Sequence, residues 1–418
     1  MDKIAIVVQR YGKESDGGEQ VYARLLAEHL TERYEVAVLT SCSVSYTAGD
    51  DHYPAGEEII DGIRVLRFTY GRGEPKTPRW LGRYIRGNYK YYNTGYTLSN
   101  IITLSFRRIR YRRRKDHDRI FERWIENENP VCKGMISYIE RENDRYKAFI
   151  FFNYLFYPNY FGLHKVSGKS ILIPLAYDEP MLYLSGFRKM FSLPGFIMYS
   201  TESEKRLVES VHPDTRTIRS DITGVGFDSP VLEENTPPPI AFPYFVYIGR
   251  IDIGKGCLEL MDYFFRINKS QCNGTKLVMI GKNHMDNPVE CNNIIFTGFI
   301  DEAQKLAYLQ HCQAVIVPSR NESLSMVTLE AMSAGKPVLV NGHCEVLRSH
   351  IEQSQAGFVY YEGEDFSQQI NRILNLSSSD RQLIAQNGKS YVERNYQWKG
   401  VMEKFETAID YVGTAGVD

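Results

Sequence analysis

Residues 314–340 read AVIVPSRNESLSMVTLEAMSAGKPVLV, and this stretch decides the fold class. An apolar run is followed by a polar loop, an apolar helix pattern over 326–335, a glycine turn and a second apolar run at 337–340. Uninterrupted apolar runs of this length are typical of strands that are buried on both faces of a parallel sheet. The stretch therefore predicts one strand–helix–strand unit of a parallel α/β protein.

The same alternation recurs on both sides of this stretch. Further apolar runs lie at 4–8, 34–40, 63–68, 148–153, 170–180, 195–204, 244–250, 275–281, 293–299 and 356–361. Between the two series, residues 229–239 read SPVLEENTPPP, which combines acidic residues with three consecutive prolines and is typical of a linker. We therefore predict a Rossmann-like domain over 1–228, a linker over 229–239, a second Rossmann-like domain over 240–398, and a helix over 399–418 that packs back on the first domain.

Length and composition exclude several classes of protein. The 418 residues fit two domains, and 43% hydrophobic with 24% charged residues excludes collagenous and wholly disordered chains. No run of about 18 apolar residues is present, which argues against a transmembrane helix. The opening MDKIAIVVQRYG lacks the features of a secretory signal, and the seven cysteines show no CxxC spacing. We therefore expect free thiols and a cytoplasmic location.

Polar residues that follow the predicted strands suggest where a ligand binds, since doubly wound sheets bind ligands at the carboxyl ends of their strands. Arg250 follows the apolar run YFVYIG at 244–249, and Gly254-Lys255-Gly256 lies at the start of the next helix. Glycines allow a close approach of the backbone, and an Arg with a Lys at a helix start favours a diphosphate. Two surface cations on a loop are the alternative interpretation.

Two glutamates follow the strand at 314–319. Glu322 lies in the loop and Glu330 lies eight positions further along, in the predicted helix. Both carboxylates could face one cleft and accept hydrogen bonds from paired hydroxyls of a ribose or a hexose. Alternatively, Glu322 and Ser325 cap the helix and Glu330 is a solvated helix residue.

Taken together, these features resemble a known enzyme family. The stretch 318–340 resembles the E-x7-E signature of glycosyltransferase family 4, which is a retaining family with the GT-B fold. Further matches are Gly17-Gly18-Glu19, Gly224-Val225-Gly226-Phe227-Asp228 and Gly249-Arg250 with Lys255-Gly256. The resemblance implies an α/β protein of GT-B type, in which two Rossmann-like, doubly wound domains face a central cleft and the C-terminal domain binds a nucleotide sugar.

The resemblance implies catalytic roles for Arg250, Lys255 and Glu322. Arg250 and Lys255 would neutralise the diphosphate as the glycosidic bond breaks, which is the largest catalytic contribution such a site can supply. Glu322, together with the backbone amides of Ser325 and Met326, would hold hydroxyls of the donor sugar.

Other residues would bind the rest of the donor. Glu330 would accept from the ribose hydroxyls, and Phe299 would contact the nucleobase. Gly17 and Gly18 would let a loop of the first domain close over the phosphates, and Gly249 would lie beside the donor. The resemblance implies no cofactor apart from the nucleotide sugar itself, for which a UDP-linked donor is the first expectation.

The sequence departs from the family pattern at two places. Leu324-Ser325 stands where the family often has Phe-Gly, so the Ser325 side chain is expected to narrow the sugar pocket. Asn153 and Tyr177 stand where members commonly carry a histidine, and neither is a general acid or base near neutral pH. With Asp178, they are candidates for contact with the acceptor or the sugar, although Asp178 could equally serve in a turn.

No metal site is predicted. Asp116-His117-Asp118 has the form of a D-x-D motif, but it follows seven basic residues among the nine at 107–115 and does not end a strand. We therefore interpret it as charge on a helix surface. His284, His343 and His350 are expected to be structural or exposed, and none is expected to be a ligand.

The segment 71–120 is strongly basic, with fourteen Lys or Arg residues against three Asp or Glu in a chain of net charge −1. An apolar stripe at helical spacing accompanies these charges, and consists of Leu98, Ile102, Phe106 and Ile109. Basic residues with nearby aromatics suit an anionic membrane surface. The candidate membrane residues are Arg107, Arg108, Arg112, Arg113 and Arg114. A solvated basic helix is the alternative, and nucleic acid is not expected because no RNA-binding motif surrounds the aromatics. Most of the insert at 71–145 is expected to be helical.

The sequence therefore predicts a retaining, metal-independent glycosyltransferase that is cytoplasmic and peripheral on the inner face of the cell membrane. It would move a hexose from a UDP-hexose such as UDP-glucose to a polysaccharide, glycolipid or lipid-linked oligosaccharide. GDP-mannose is the second donor considered. A sugar-nucleotide-binding or scaffold protein that has lost turnover is the alternative from another class.

Overall fold

The computed structural model describes residues 1–12, 17–44, 51–71, 121–122, 124–126, 130–228, 236–268, 274–285 and 292–414. These residues form two compact units, one of 1–223 with 402–418 and the other of 224–401. The basic segment 71–120 lies outside the described residues except for Gly71. The candidates that fall in it are Arg107, Arg108, Arg112, Arg113, Arg114 and the Asp116-His117-Asp118 motif.

The first unit is built on one eight-stranded sheet. Its strands are β1 (Lys3–Val7), β2 (Glu35–Ser41), β3 (Gly56–Ile60), β4 (Ile63–Phe68), β5 (Ala148–Phe152), β6 (Ser170–Ile173), β7 (Phe196–Tyr199) and β8 (Arg219–Ile222). Their spatial order is β3-β4-β2-β1-β5-β6-β7-β8, and every neighbouring pair is parallel except β3 with β4. The predicted parallel α/β class is confirmed for this unit.

Helices connect the strands of the first unit. The described ones are α1 (Gly18–Leu30), α2 (Lys133–Glu142), α3 (Tyr157–Leu163), α4 (Gly186–Phe191) and α5 (Glu202–Val211), with short 3-10 helices at Asn143–Arg145, Ser167–Lys169 and Pro213–Thr217. The aromatic strand β5 is completely buried and packs in one cluster with residues of α2, α3 and α4. Burial on both faces explains why this strand reads as an unbroken apolar run.

Two strands of this sheet, β3 and β8, were not predicted. Strand β3 lies at the edge of the sheet, and its five residues are exposed or only half-buried. It pairs antiparallel with β4 across Asp61-Gly62, where both residues have positive φ angles of 49° and 81°. An Asp-Gly pair in this conformation is typical of a tight hairpin. The sequence signal was therefore the turn, since a solvated edge strand needs no apolar pattern.

The second unit contains a six-stranded sheet in which all pairs are parallel. Its strands are β9 (Tyr244–Ile248), β10 (Lys276–Ile280), β11 (Ile294–Gly298), β12 (Val315–Val317), β13 (Val338–Asn341) and β14 (Gly357–Tyr360), in the order β11-β10-β9-β12-β13-β14. All six coincide with predicted apolar runs. The second parallel α/β unit is therefore also confirmed.

Helices cover this sheet. They are α6 (Cys257–Asn268), α7 (Glu302–His311), α8 (Met326–Ser333), α9 (Glu345–Ser354), α10 (Gly363–Leu374) and α11 (Ser378–Asn395). The last helix, α12 (Trp398–Thr414), belongs to the first unit from Met402 onward. Within that unit, Lys147 pairs with Asp410 at 2.8 Å and Arg33 pairs with Glu406 at 2.9 Å. These pairs join α12 to the residue before strand β5 and to the turn after helix α1.

None of the described helices combines the length and the apolar composition needed to cross a membrane. The five cysteines of the described part of the chain are buried free thiols: Cys42, Cys132, Cys257, Cys312 and Cys344.

Candidate functional site

The order of the strands creates a topological switch point in the second unit. From β9 the chain moves outward to β10 and β11, and it then returns to the other side of β9 as β12. Ligand crevices in doubly wound sheets form at such a point, outside the carboxyl ends of the two strands. Arg250 and Lys255 follow β9, and Glu322 follows β12. These predicted residues therefore follow the two strands that flank the switch point.

The loop after β9 is held tightly against the end of β12. Gly256 has a φ of 77°, and a Cβ atom at this position would lie 2.5 Å from the Pro318 carbonyl oxygen. Only glycine fits there. Asp252 fixes the loop from within, because its Oδ1 accepts from the Lys255 backbone N–H at 2.8 Å and its other oxygen pairs with Arg250. The side chain of Arg250 is half-exposed.

Lys255 and Glu322 form an ion pair between the two loops. The distance from Lys255 Nζ to Glu322 Oε1 is 2.7 Å. Burial by itself would lower the pKa of Lys255, but the attraction of Glu322 and the hydrogen bond to it outweigh burial and raise the pKa. Lys255 is therefore a cation at neutral pH. The pair places one positive charge beside one accepting carboxylate, which is the combination that a phosphate joined to a hydroxyl-rich sugar requires.

Ser325 has an unusual backbone conformation at the start of α8. Its φ and ψ are 65° and 76°, in the left-handed region that costs a non-glycine residue roughly 1–3 kcal/mol. Its hydroxyl and the hydroxyl of Thr328 are 2.8 Å apart, and its carbonyl accepts from the Thr328 N–H at 3.1 Å. Ser325 thus takes a conformation that glycine adopts without this cost. Met326 begins the helix, where backbone N–H groups have no intrahelical partner.

Glu330 lies in α8 and pairs with Lys305 of α7. Lys305 Nζ also lies 2.8 Å from Glu302. Burial raises the pKa of Glu330, and the neighbouring Lys305 offsets part of that increase. For Lys305 burial lowers the pKa, but the two carboxylates raise it by more, so its pKa lies above the usual value. Glu330 is therefore a half-buried carboxylate that is held by a cation.

Phe299 and Gly249 lie at other strand ends of this sheet. Phe299 follows β11 and its side chain is 75% exposed, so the ring is available for stacking. Gly249 follows β9, and its carbonyl oxygen would lie only 2.0 Å from a Cβ atom at Gly281, which follows β10. The ends of β9 and β10 therefore approach as bare backbone.

The first unit has its own switch point, between β1 and β5. After β1, Gly17 caps α1 with an extended backbone and Gly18 begins the helix. After β5, Asn153 has a positive φ of 74°, and its Nδ2 donates to Glu19 Oε2 at 3.1 Å. Asn153 Oδ1 accepts from the Leu155 N–H at 3.0 Å. Both ends of the Asn153 amide are thus engaged within the unit.

The segment after β6 holds the remaining predicted residues. Asp178 is exposed and accepts from the Tyr183 hydroxyl at 2.8 Å. Tyr177 is half-buried and hydrogen-bonds to Glu179, which also accepts from the Tyr154 hydroxyl at 2.7 Å. Burial raises the pKa of Glu179 to about 7 against these hydrogen bonds. Asp178 and Tyr177 therefore lie next to the buried carboxyl group of Glu179.

Sequence reasoning missed three residues that hold the predicted ones. Asp252 orders the loop of Arg250 and Lys255, and Lys305 pairs with Glu330. Glu19, quoted only as part of a motif, bonds Asn153 and has one carboxylate oxygen enclosed by the protein, and burial raises its pKa to about 7. The Asp252 signal was available, because an acidic residue shortly before a helix is a typical start signal. The other two pairs are tertiary and leave no local pattern.

In the part of the chain that the structure describes, no cluster of three or more His, Cys, Asp or Glu residues is placed to hold a metal ion. His284 is exposed and His343 Nε2 lies 3.4 Å from Glu362, whereas His350 is buried in the second unit.

The chain is similar over its whole length to solved GT-B structures. Sucrose-phosphate synthase from Thermosynechococcus elongatus superposes with a TM-score of 0.67 at 15% identity, over 99% of this chain and 100% of that one. An α,α-trehalose 6-phosphate synthase from Burkholderia multivorans gives 0.66 at 11% identity, over 100% of both chains. At these identities the likeness shows the fold alone, and the predicted GT-B class is confirmed.

Two curated relatives match in part. A lipopolysaccharide 1,2-N-acetylglucosaminetransferase of Salmonella typhimurium is 31% identical over 183 residues, which is 38% of this chain and 46% of the relative. An uncharacterized glycosyltransferase of Methanocaldococcus jannaschii is 25% identical over 184 residues, which is 40% of this chain and 46% of the relative. The match thus spans slightly less than half the length of these relatives.

A family model matches the part of the chain that carries the ion pair. The matched residues are 232–391, which include the loops after β9 and β12 and the helix of Glu330. The second unit of this chain therefore carries the sequence pattern of the family described as glycosyl transferases, group 1.

Proposed function

We propose that this protein is a retaining glycosyltransferase of family 4 that moves a hexose from a UDP-hexose to a polysaccharide, glycolipid or lipid-linked oligosaccharide. The observation that carries this proposal is the 2.7 Å pair of Lys255 and Glu322 at the β9–β12 switch point. It is supported by the family match over 232–391, which contains both residues.

The chemistry assigned to the site follows from its charges. Departure of a nucleoside diphosphate develops negative charge, and Lys255 with the half-exposed Arg250 would stabilise it. Glu322 and the N–H groups at the start of α8 would hold sugar hydroxyls. Glu330 would accept from the ribose. In a retaining transfer on one face of the sugar, the leaving phosphate oxygen can take the acceptor proton, so no protein base is required.

A uridine nucleotide is the first choice of donor. The Salmonella typhimurium relative is named as an N-acetylglucosaminetransferase, and a structure of 9% identity from E. coli was solved with UDP-2-fluoro glucose bound. Exposed Phe299 would stack on the base. GDP-mannose is the competing donor. Comparing the binding of UDP with that of GDP in solution distinguishes the two.

The test begins with calorimetric titration of UDP, GDP and ADP into the full chain. We expect one uridine nucleotide to bind, and we expect the matching UDP-hexose to be hydrolysed slowly without acceptor. Transfer to a glycan acceptor, followed by NMR of the product anomer, then tests retention. A product with inverted anomeric configuration would contradict the retaining assignment while leaving the transferase assignment in place.

A protein that binds nucleotide but has lost turnover is the rival from another class. It predicts binding of UDP with no hydrolysis and no transfer across a panel of lipid-linked and polysaccharide acceptors. If none of the three nucleotides binds, the proposal is contradicted, because the Lys255–Glu322 pair on which it rests would then have no donor to bind.

A further inference from the structure

His350 lies in α9 and is a buried histidine of the second unit. Its exposed fraction is 2%, and α9 packs against α11 and β13. The side chain is not adjacent in sequence to any residue of the proposed site. Its hydrogen bonds nevertheless lead directly to the loop that follows β12.

The two ring nitrogens of His350 have different partners. Nε2 lies 2.7 Å from the carbonyl oxygen of Leu324, and Nδ1 lies 2.9 Å from the hydroxyl of Tyr391. A carbonyl oxygen only accepts, so Nε2 carries the hydrogen and Nδ1 accepts from Tyr391. Burial lowers the pKa of His350 to about 4, so the ring is neutral at physiological pH. One tautomer is therefore fixed.

The bonded carbonyl belongs to the residue immediately before Ser325. Ser325 is held in the left-handed region, which a serine adopts only when its surroundings enforce it. The whole Leu324 residue is buried, so its carbonyl oxygen would lose a buried hydrogen bond without His350. On the other side of the ring, Tyr391 is hydrogen-bonded to the buried Tyr396. A chain of buried hydrogen bonds thus ends at the turn between Glu322 and α8.

We propose that His350 is a positioning residue, which acts with Tyr391 to hold the Leu324–Ser325 turn in the conformation that presents Glu322 and the N–H groups of α8 to the donor sugar. This inference rests on the proposed function, in which that turn contacts the sugar. The nucleotide would be bound by other residues, namely Arg250, Lys255 and Glu330. Loss of the His350 bond should therefore affect recognition of the sugar more than recognition of the nucleotide.

The test compares the dissociation constants of bare UDP and of UDP-glucose, or of GDP and GDP-mannose if the bare nucleotides select GDP. In His350→Gln the affinity for the sugar nucleotide should fall about tenfold, while the affinity for the bare nucleotide changes less than about twofold. Tyr391→Phe keeps the His350 imidazole and removes the hydroxyl that bonds its Nδ1 and Tyr396. A smaller loss in the same direction is therefore expected, even if His350→Gln folds poorly.

His212→Gln is the matched control. His212 is 3% exposed in the first unit, and its Nε2 bonds the Leu182 carbonyl at 2.8 Å. This change should lower thermal stability without changing the ratio of the two dissociation constants. An unchanged ratio in both His350→Gln and Tyr391→Phe, with normal binding by the unaltered protein, overturns this inference alone. Absence of nucleotide binding by the unaltered protein overturns the proposed function, and the inference with it.

Discussion

Glu330 is subject to two opposing influences at the scale of a single residue. Burial favours its neutral form, whereas the ammonium group of Lys305 favours the carboxylate. The proposed contact with a ribose diol needs an ionised carboxylate that accepts hydrogen bonds. Lys305 favours this ionised form of Glu330 although the residue is partly buried. Lys305 has a second carboxylate partner in Glu302, and it therefore stays paired if Glu330 is removed.

Glu330→Ala should weaken binding of the bare nucleotide by about tenfold or more, because the proposed function makes Glu330 the charged acceptor for two ribose hydroxyls. Titration calorimetry measures the change. Glu302→Ala removes the other partner of Lys305 and serves as the control, for which we expect a change of less than about threefold. Equal losses in the two variants would mean that Glu330 acts only through Lys305.

At the scale of an element, the segment 224–228 shows how a sequence motif can have a packing role. A Cβ atom at Gly226 would lie 2.2 Å from the Trp398 ring, and one at Gly224 would lie 2.6 Å from the Tyr396 ring. The N–H of Phe227 donates to the Tyr396 carbonyl at 2.7 Å. This part of the family resemblance therefore has a structural reason within the second unit, where two glycines admit two aromatic rings.

Gly226→Ala should lower the free energy of unfolding by about 1–3 kcal/mol, since the added methyl group must displace Trp398 at the start of α12. Thermal and urea unfolding of the full chain measure the change. Gly400→Ala is the control, because this exposed helical glycine has no heavy atom within 4 Å of an added Cβ. That change should stabilise the protein by about 0.5–1 kcal/mol. Destabilisation by both would contradict the proposed clash.

The elements that could be predicted from sequence are those whose side chains are all in the same environment, such as strands that are buried on both faces. Strands β5 and β9 are buried on both faces, so their residues are apolar throughout. Strands β3 and β8 lie at the edges of their sheet and carry polar residues, and neither was predicted. In the site, residues that follow strands were predictable from position. Pairs such as Lys305 with Glu330 depend on how distant segments meet, which no local spacing encodes.

At the scale of the whole molecule, burial of titratable groups makes the stability of the two units depend on pH in opposite directions. In the first unit burial raises the pKa values of Glu19, Glu179 and Glu204 to about 7. In the second unit burial lowers the pKa of His350 to about 4. The contribution of the glutamates is complete below about pH 4.5 and is lost as the pH rises through 7. The contribution of His350 is complete above about pH 6.5 and is lost as the pH falls through 4.

Glu19→Gln should therefore remove part of the pH dependence of the first unit. As the pH rises from 5.5 to 8, ionisation of Glu19 should lower the free energy of opening in this region by about 1–2 kcal/mol. Glutamine does not ionise, so the variant should not show this decrease. Hydrogen–deuterium exchange of peptides from α1, corrected for the intrinsic pH dependence of exchange, measures this. Exposed Glu32→Gln is the control, and its profile should follow the unaltered protein. A Glu19→Gln profile as steep as that of the unaltered protein would refute the assignment.

Charge is also distributed unevenly over the whole chain, with a net charge of −1 that includes the strongly basic segment 71–120. We predict that this segment binds anionic membrane surfaces at about 1 kcal/mol for each cation near the surface. Replacing Arg112, Arg113 and Arg114 by serine should reduce co-sedimentation with vesicles that contain anionic lipid, and sedimentation with neutral vesicles is the control. Undiminished co-sedimentation would favour a solvated basic helix.

The close approach of backbone at Gly256 and Gly281 limits how this site can diversify. A side chain at either position would collide with a neighbouring carbonyl, at Pro318 or at Gly249, so such variants are eliminated at the folding step before any substrate is tested. Phe299 is open to solvent and free of that restriction. Mutant libraries that aim to change donor preference should therefore randomise Phe299 and its exposed neighbours. Substitutions at Gly256 and Gly281 would yield variants that do not fold.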